Sequence, residues 1–217
     1  YDYGELESEF QKLFKNKKAL IFNSGYSANL ATINALNDEN TLFLADKLIH
    51  ASMIDALKMA NFKRFKHNDT NELENLLKKY RAKFKRIIIL CEGLYSMDGD
   101  YANLADFKHL ANEWGALLFV DEAHSFFSLH ELGECDACGI SSDFMLITFS
   151  KALGGMGATI LCDENTKNLL VNTARSLIYS TALAPINIAW TKFILSKDFS
   201  QRRKNLAKNI ELLGLNN

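Results

Sequence analysis

Arg86-Ile87-Ile88-Ile89-Leu90-Cys91 and Ala116-Leu117-Leu118-Phe119-Val120 are the two stretches that decide the fold. Neither alternates apolar with polar residues, so each reads as a strand buried on both faces rather than on one. Between them Leu104, Phe107, Leu110, Ala111 and Trp114 recur at helical spacing, with Asn103 placed to cap the helix and Gly115 to stop it. Strand, helix and strand in that order form a parallel crossover, which needs helices over both faces of the sheet.

The alternation extends both ways. Upstream, Leu6, Phe10, Leu13 and Phe14 mark a helix, Ala19–Phe22 a strand, and Gly25 opens a second helix. Thr41–Ala45 reads as a strand, Ile49–Ala60 as a helix, and Leu73, Leu76, Leu77 and Tyr80 as another. Downstream, Phe144–Phe149 and Ala158–Cys162 are strands, and a helix runs from about Glu164 to Ser176. We expect an α/β fold with a mostly parallel sheet. Its ligands should sit beyond the carboxyl ends of the strands. From Ser196 the chain turns polar and basic, as in a helix leaving the domain.

Composition fits this picture. Of 217 residues, 48% are hydrophobic and 24% charged, enough apolar material for a sizeable core. The 25 Lys and Arg nearly balance 26 Asp and Glu, which argues against nucleic-acid binding through bulk positive charge. No apolar run approaches the ~20 residues of a membrane span. Four cysteines are too sparse for a disulfide scaffold and suit a reducing cytoplasm. The chain begins on Tyr1 rather than Met and contains one proline, Pro185; we read it as a piece of something longer.

The expected strand ends carry the chemistry. Asp121-Glu122-Ala123-His124 puts a carboxylate at the tip of a buried strand, suited to hold a metal or a protonated ring nitrogen, or simply to cap the following turn. A nucleotide-hydrolase reading needs a phosphate-cradling G-x-x-x-x-G-K-[ST], and the sequence has none. Thr148-Phe149-Ser150-Lys151 ends another strand. It precedes Gly154-Gly155-Met156-Gly157, where three glycines in four residues imply close backbone approach. A lysine desolvated there becomes a nucleophile toward an aldehyde. Ser24-Gly25-Tyr26 opens a helix whose free N–H groups suit an anion. His50 starts a helix where it could stack on an aromatic ring. Cys135 and Cys138, with His130 nearby, lack a second pair to complete a zinc set, so we expect no metal.

Seven ordered segments together resemble the α-oxoamine synthases, within the fold type I enzymes that use pyridoxal 5′-phosphate. They are Asn23–Asn29, Ile49–Ser52, His67-Asn68-Asp69, Glu92–Asp100, Val120–His124, Thr148–Lys151 and Tyr179–Pro185. The resemblance implies that Lys151 bonds the cofactor aldehyde and that Asp121 pairs with its ring nitrogen. It implies that His124 bonds the phenolic oxygen, that His50 stacks on the ring, and that Gly25, Tyr26 and Thr148 hold the phosphate. Ser96 would sit near the ring, Glu92 near an incoming acyl group, and Thr181 would reach the neighbouring subunit's phosphate in a homodimer.

The wording of Ile49–Ser52 and Ile178–Thr181 implies the member that condenses L-alanine with a pimeloyl thioester, of coenzyme A or acyl carrier protein, for biotin. Glycine-using members, or a catalytically silent dimerising fragment, are the alternatives. Residues 1–195 would be the cofactor-binding large domain, and residues 196–217 the start of a connection to a small domain largely absent here. Arg175 and Arg202 do not match the family's carboxylate-binding arginine. After His124 the family has a small, Gly-containing loop. Here Ser125-Phe126-Phe127-Ser128-Leu129-His130 is bulky, which bears on the loop's path and on acyl access.

Overall fold

Strand pairing follows the apolar runs. The computed structural model describes residues 3–214. In chain order the elements are α1 (Tyr3–Leu13), β1 (Lys18–Phe22), α2 (Gly25–Leu36), β2 (Thr41–Asp46), α3 (Ala51–Leu57) and β3 (Phe62–Phe65). Then come α4 (Thr70–Tyr80), β4 (Arg86–Glu92), α5 (Leu104–Trp114), β5 (Leu117–Asp121), α6 (Glu134–Ala137) and β6 (Phe144–Thr148). Last are β7 (Ala158–Cys162), α7 (Glu164–Thr173), α8 (Arg175–Ile178), α9 (Pro185–Leu195) and α10 (Ser200–Leu212).

One seven-stranded sheet has the order β1-β7-β6-β5-β4-β2-β3. Strands β3, β2, β4, β5 and β6 pair in parallel, while β7 runs antiparallel to both β6 and β1. The parallel core therefore turns the carboxyl ends of β2, β4, β5 and β6 to one edge.

Both faces of the sheet are covered. Along β4, Ile87, Ile89 and Cys91 join the core under α1, α4 and α5, while Ile88 and Leu90 join the core under α2, α3 and α7. This is why the run is continuous rather than alternating. Gly115 ends α5 in the left-handed conformation, as expected of a helix stop. Asn103 precedes α5 but makes no side-chain cap; its Nδ2 donates instead to the Asn68 carbonyl at 3.0 Å.

Strand β3, the one-turn helix α6 and helices α8 and α9 escaped the sequence reading. Strand β3 is short and half exposed, with Lys63 and Arg64 facing solvent at the sheet edge. Helix α9 begins on Pro185, the favoured first position for a proline that has no N–H to lose. The helix expected to about Ser176 stops at Thr173 and restarts as the short α8.

Candidate active site

The carboxyl ends of β4, β5 and β6 and the starts of α2 and α3 surround a cavity of about 260 Å³. Eight of the expected site residues line it: Gly25, Tyr26, His50, Glu92, Asp121, His124, Thr148 and Lys151. Ser96 and Thr181 do not; both are exposed. The Asn23 amide donates to the Thr181 carbonyl at 3.4 Å.

Asp121 ends β5 beside Glu92, its register partner at the end of β4. Only 3% of Asp121 is accessible, and burial lifts its carboxyl to about 6. Two neutral donors oppose that lift. The Ala123 N–H donates to Oδ1 at 3.0 Å, and Asn29 Nδ2 donates to Oδ2 at 2.9 Å. Asn29 also donates to Ser52 Oγ at 2.9 Å. Ser52 meets His50 Nδ1 at 2.8 Å, and the Ser52 N–H donates to the same nitrogen at 3.2 Å. Nδ1 is thus an acceptor, and the ring proton lies on Nε2. His50 caps α3 through this contact. One hydrogen-bonded chain, Asp121–Asn29–Ser52–His50, running from the buried Asp121 to the exposed His50, therefore fixes two site residues at once. Asn29 lies inside one of the quoted motifs, yet nothing in its local sequence announces that it spans from α2 to β5.

The start of α2 forms an anion cradle. Ser24 caps the helix by accepting from the Ser27 N–H at 3.1 Å. The first intrahelical bond runs from the Ala28 N–H to the Ser24 carbonyl at 3.1 Å. The N–H groups of Gly25 and Tyr26 thus lie in the first turn, where donors have no intrahelical partner. The hydroxyls of Thr148 and Ser150 stand 3.1 Å apart across the cavity wall. A Cβ at Gly25 would meet Thr148 Cβ at 3.5 Å and Leu146 Cδ2 at 3.6 Å, ordinary contacts, so packing alone does not demand this glycine. Tyr26 is half exposed, and its hydroxyl donates to Asp55 on α3.

Lys151 sits exposed at the cavity mouth, so the desolvation expected of it is not supplied by this chain. The glycine turn after it does show close approach: a Cβ on Gly157 would lie 2.6 Å from Leu183 Cδ1 and 2.8 Å from Phe149 Cδ2. His124 is half buried, and burial, with Lys151 and His50 nearby, lowers its pKa and favours the neutral ring. Glu92 is 3% accessible and its Oε1 is buried without a hydrogen-bond partner. Burial, reinforced by Asp121, pushes its carboxyl up to about 8, so it carries a proton at neutral pH.

Glu122 is a buried anchor that the sequence reading passed over. Its carboxylate accepts from the Glu134 N–H at 2.9 Å, the Cys135 N–H at 2.8 Å and the Ser125 hydroxyl. A Cβ on Gly93 or on Gly133 would each come within 2.6 Å of Glu122 Oε2. The bulky loop after His124 turns away from the cavity. Phe126 packs against Phe10 of α1 and Phe14 just beyond it, both at 6.1 Å, and Phe127 against Phe199 at 5.7 Å. Phe127 does this with φ at 60°, a conformation glycine adopts more readily. Cys135 is buried and Cys138 exposed, with the Cys138 thiol donating to Glu134 Oε1 at 3.4 Å. Among the described residues no three metal-ligating side chains converge.

The 8-amino-7-oxononanoate synthase of Haemophilus ducreyi is 43% identical over 218 residues, covering 95% of this chain and 56% of its own length. A solved 8-amino-7-oxononanoate synthase from Francisella tularensis superposes with a TM-score of 0.81 at 30% identity, covering 96% of this chain and 62% of that one. A serine palmitoyltransferase from S. paucimobilis, solved with a bound PLP–myriocin adduct, gives 0.88 at 29% identity over 96% of this chain and 56% of that one. The chain spans about half the length of the curated relatives it matches. The family described as "Aminotransferase class I and II" matches residues 1–215. With that match over nearly every residue, and with its conserved-fold relatives agreeing on the same sheet, the chain belongs to the aminotransferase class I and II family.

Proposed function

We propose that this chain is the cofactor-bearing part of a pyridoxal 5′-phosphate-dependent C-acyltransferase. It would join L-alanine to a pimeloyl thioester, releasing carbon dioxide and coenzyme A or acyl carrier protein, to give 8-amino-7-oxononanoate for biotin. The observation that carries the reading is the convergence on one cavity of a lysine amine, a buried carboxylate, an imidazole and a helix N-terminus flanked by hydroxyls. The names of the relatives support the choice of substrates.

The residues present fit the cofactor. Asp121 is buried with only neutral donors on its two oxygens, and a protonated ring nitrogen supplies the positive partner it lacks. The N–H groups of Gly25 and Tyr26 with the Thr148 and Ser150 hydroxyls suit a phosphate. When bound, the cofactor supplies an electron sink for the carbon beside the substrate nitrogen.

The chain's own residues do the rest. Asp121 holds a proton at the ring nitrogen. His50, fixed as the cap of α3, offers its ring for stacking. Neutral His124 donates its single N–H to the phenolic oxygen. Lys151 would hold the aldehyde through its amine, and that amine, when free, would serve as the base for the α-proton. Protonated Glu92 donates a hydrogen bond to the acyl carbonyl. Thr181, exposed and outside its own cavity, reaches the phosphate across a homodimer. Turnover of L-alanine with pimeloyl-CoA, set against glycine with acetyl- or succinyl-CoA, tests this. Product from the first pair alone is expected. A preference for glycine would assign the chain to 2-amino-3-ketobutyrate:CoA ligase or 5-aminolevulinate synthase, and no spectral response to pyridoxal phosphate would leave a silent dimerising chain.

A further inference from the structure

We infer that His67 is a positioning residue: as an imidazolium it clasps the loop of residues 93–101 to the end of β2 and so holds the Glu92 wall of the cavity. The motif His67-Asn68-Asp69 has no part in the site chemistry above, yet it makes a dense set of contacts. His67 Nδ1 lies 3.0 Å from Asp46 Oδ1, and Nε2 lies 2.7 Å from Asp100 Oδ2. A neutral imidazole has one N–H; only the imidazolium donates to both carboxylates. Asp46 is fully buried at the tip of β2, whereas Asp100 ends the loop that starts beside Glu92.

The neighbouring residue tightens the same clasp. Asn68, with φ at 54°, gives its N–H to Asp46 Oδ2 at 2.9 Å. Its side-chain amide donates to Asp100 Oδ2 at 3.1 Å and to the Tyr101 carbonyl at 2.9 Å. The His67 ring meets Tyr95 edge-on at 4.5 Å, and Tyr95 is buried in the loop. The Ser96 N–H, one residue on, faces the Glu92 carboxylate and partly offsets its burial. The clasp is thus two contacts away from a cavity-lining group.

The charged groups facing His67 are Asp46 from β2 and Asp100 from the loop; the Tyr95 phenol, held neutral by burial, presents its ring. These carboxylates raise the His67 pKa against the lowering effect of burial, which is the largest single influence. A raised pKa means the clasp is complete below the ordinary histidine value of about 6.5 and loosens as pH rises through the shifted one. Each unit of elevation is about a tenfold preference of the closed loop for the imidazolium.

The test is a pH titration of the chain by NMR, reading the histidine ring signals and the hydrogen-exchange protection factors of the 95–101 amides. No cofactor is added, so the outcome is independent of the acyltransferase reading, which supplies only the identity of the cavity. His67 is expected to titrate above the ordinary histidine value of about 6.5, and loop protection to fall through the same midpoint. Asp100→Asn should move both midpoints down together. His67→Gln should leave the loop weakly protected at every pH while far-ultraviolet dichroism keeps its form; should that variant not fold, Asp100→Asn decides alone. A His67 that titrates at or below the ordinary histidine value, loop protection that ignores pH, or an Asp100→Asn that moves one midpoint without the other would overturn the inference.

Discussion

Asn29→Leu tests the buried network with the least change of shape. Leucine keeps the branched heavy-atom outline of asparagine with methyls in place of Oδ1 and Nδ2, and any packing cost of those methyls is the same at every pH. What is lost is the pair of bonds from Nδ2 to Asp121 and to Ser52, both at 2.9 Å. A hydrogen bond to a carboxylate is worth about 1.5–3 kcal/mol, and 1.36 kcal/mol is one pKa unit. The Asp121 carboxyl should therefore rise from about 6 by roughly 1–2 units. An aspartate whose folded value is raised above the unfolded value of about 3.9 costs the fold stability as pH climbs from the unfolded value to the folded one, with no further change above it and no cost once both states are protonated. At pH 5 Asp121 is already largely protonated in both proteins, whereas at pH 8 the variant pays roughly 1–2 kcal/mol more than at pH 5. Urea unfolding of the chain and the variant at both pH values reads this difference directly. A loss of stability that is equal at pH 5 and pH 8 would refute the assignment of Asn29 as the group that sustains the Asp121 charge.

Other expectations follow from the same geometry. Gly93→Ala places a Cβ against Glu122 Oε2 and Ser125 Oγ, at 2.6 and 2.8 Å, and should lower stability by about 2–4 kcal/mol in denaturant melts. Glu92→Gln removes a carboxyl that burial lifts to about 8, so the native chain loses stability from about pH 4.5 up to about 8 and the variant does not; the variant's gain over the native chain should be small at pH 4 and roughly 3–5 kcal/mol larger at pH 9, measured by thermal unfolding. Pyridoxal phosphate binding should release a proton from Asp121 and tighten as pH rises through about 6, which calorimetry in buffers of different ionisation enthalpy would detect.

The sheet was legible because its strands are uninterrupted: β4, β5 and β6 are buried on both faces, and their runs of isoleucine, leucine and phenylalanine leave no other period to read. β3 was not, since Lys63 and Arg64 carry no pattern and the strand exists only because β2 offers an edge to pair with. The site residues at strand tips were found because strand ends are where parallel sheets hold ligands, and Asp121, Thr148 and Lys151 stand there. Asn29 and Glu122 were beyond reach. Each acts across a long sequence separation, Asn29 on Asp121 and Glu122 between Gly93 and Gly133, and only the folded chain brings those pairs together. The exposure of Lys151 also had no sequence signal, because desolvation depends on what covers the cavity mouth rather than on the residues beside it in the chain.

The central claim is that Lys151 carries the cofactor. Borohydride reduction of the chain after incubation with pyridoxal 5′-phosphate, followed by peptide mass analysis, addresses it most directly. The account predicts one stable pyridoxyl adduct, on the peptide containing Lys151, accompanied by visible absorbance before reduction and absent from Lys151→Ala. An adduct of equal yield in Lys151→Ala, or one spread over the surface lysines with Lys151 unmodified, would contradict it.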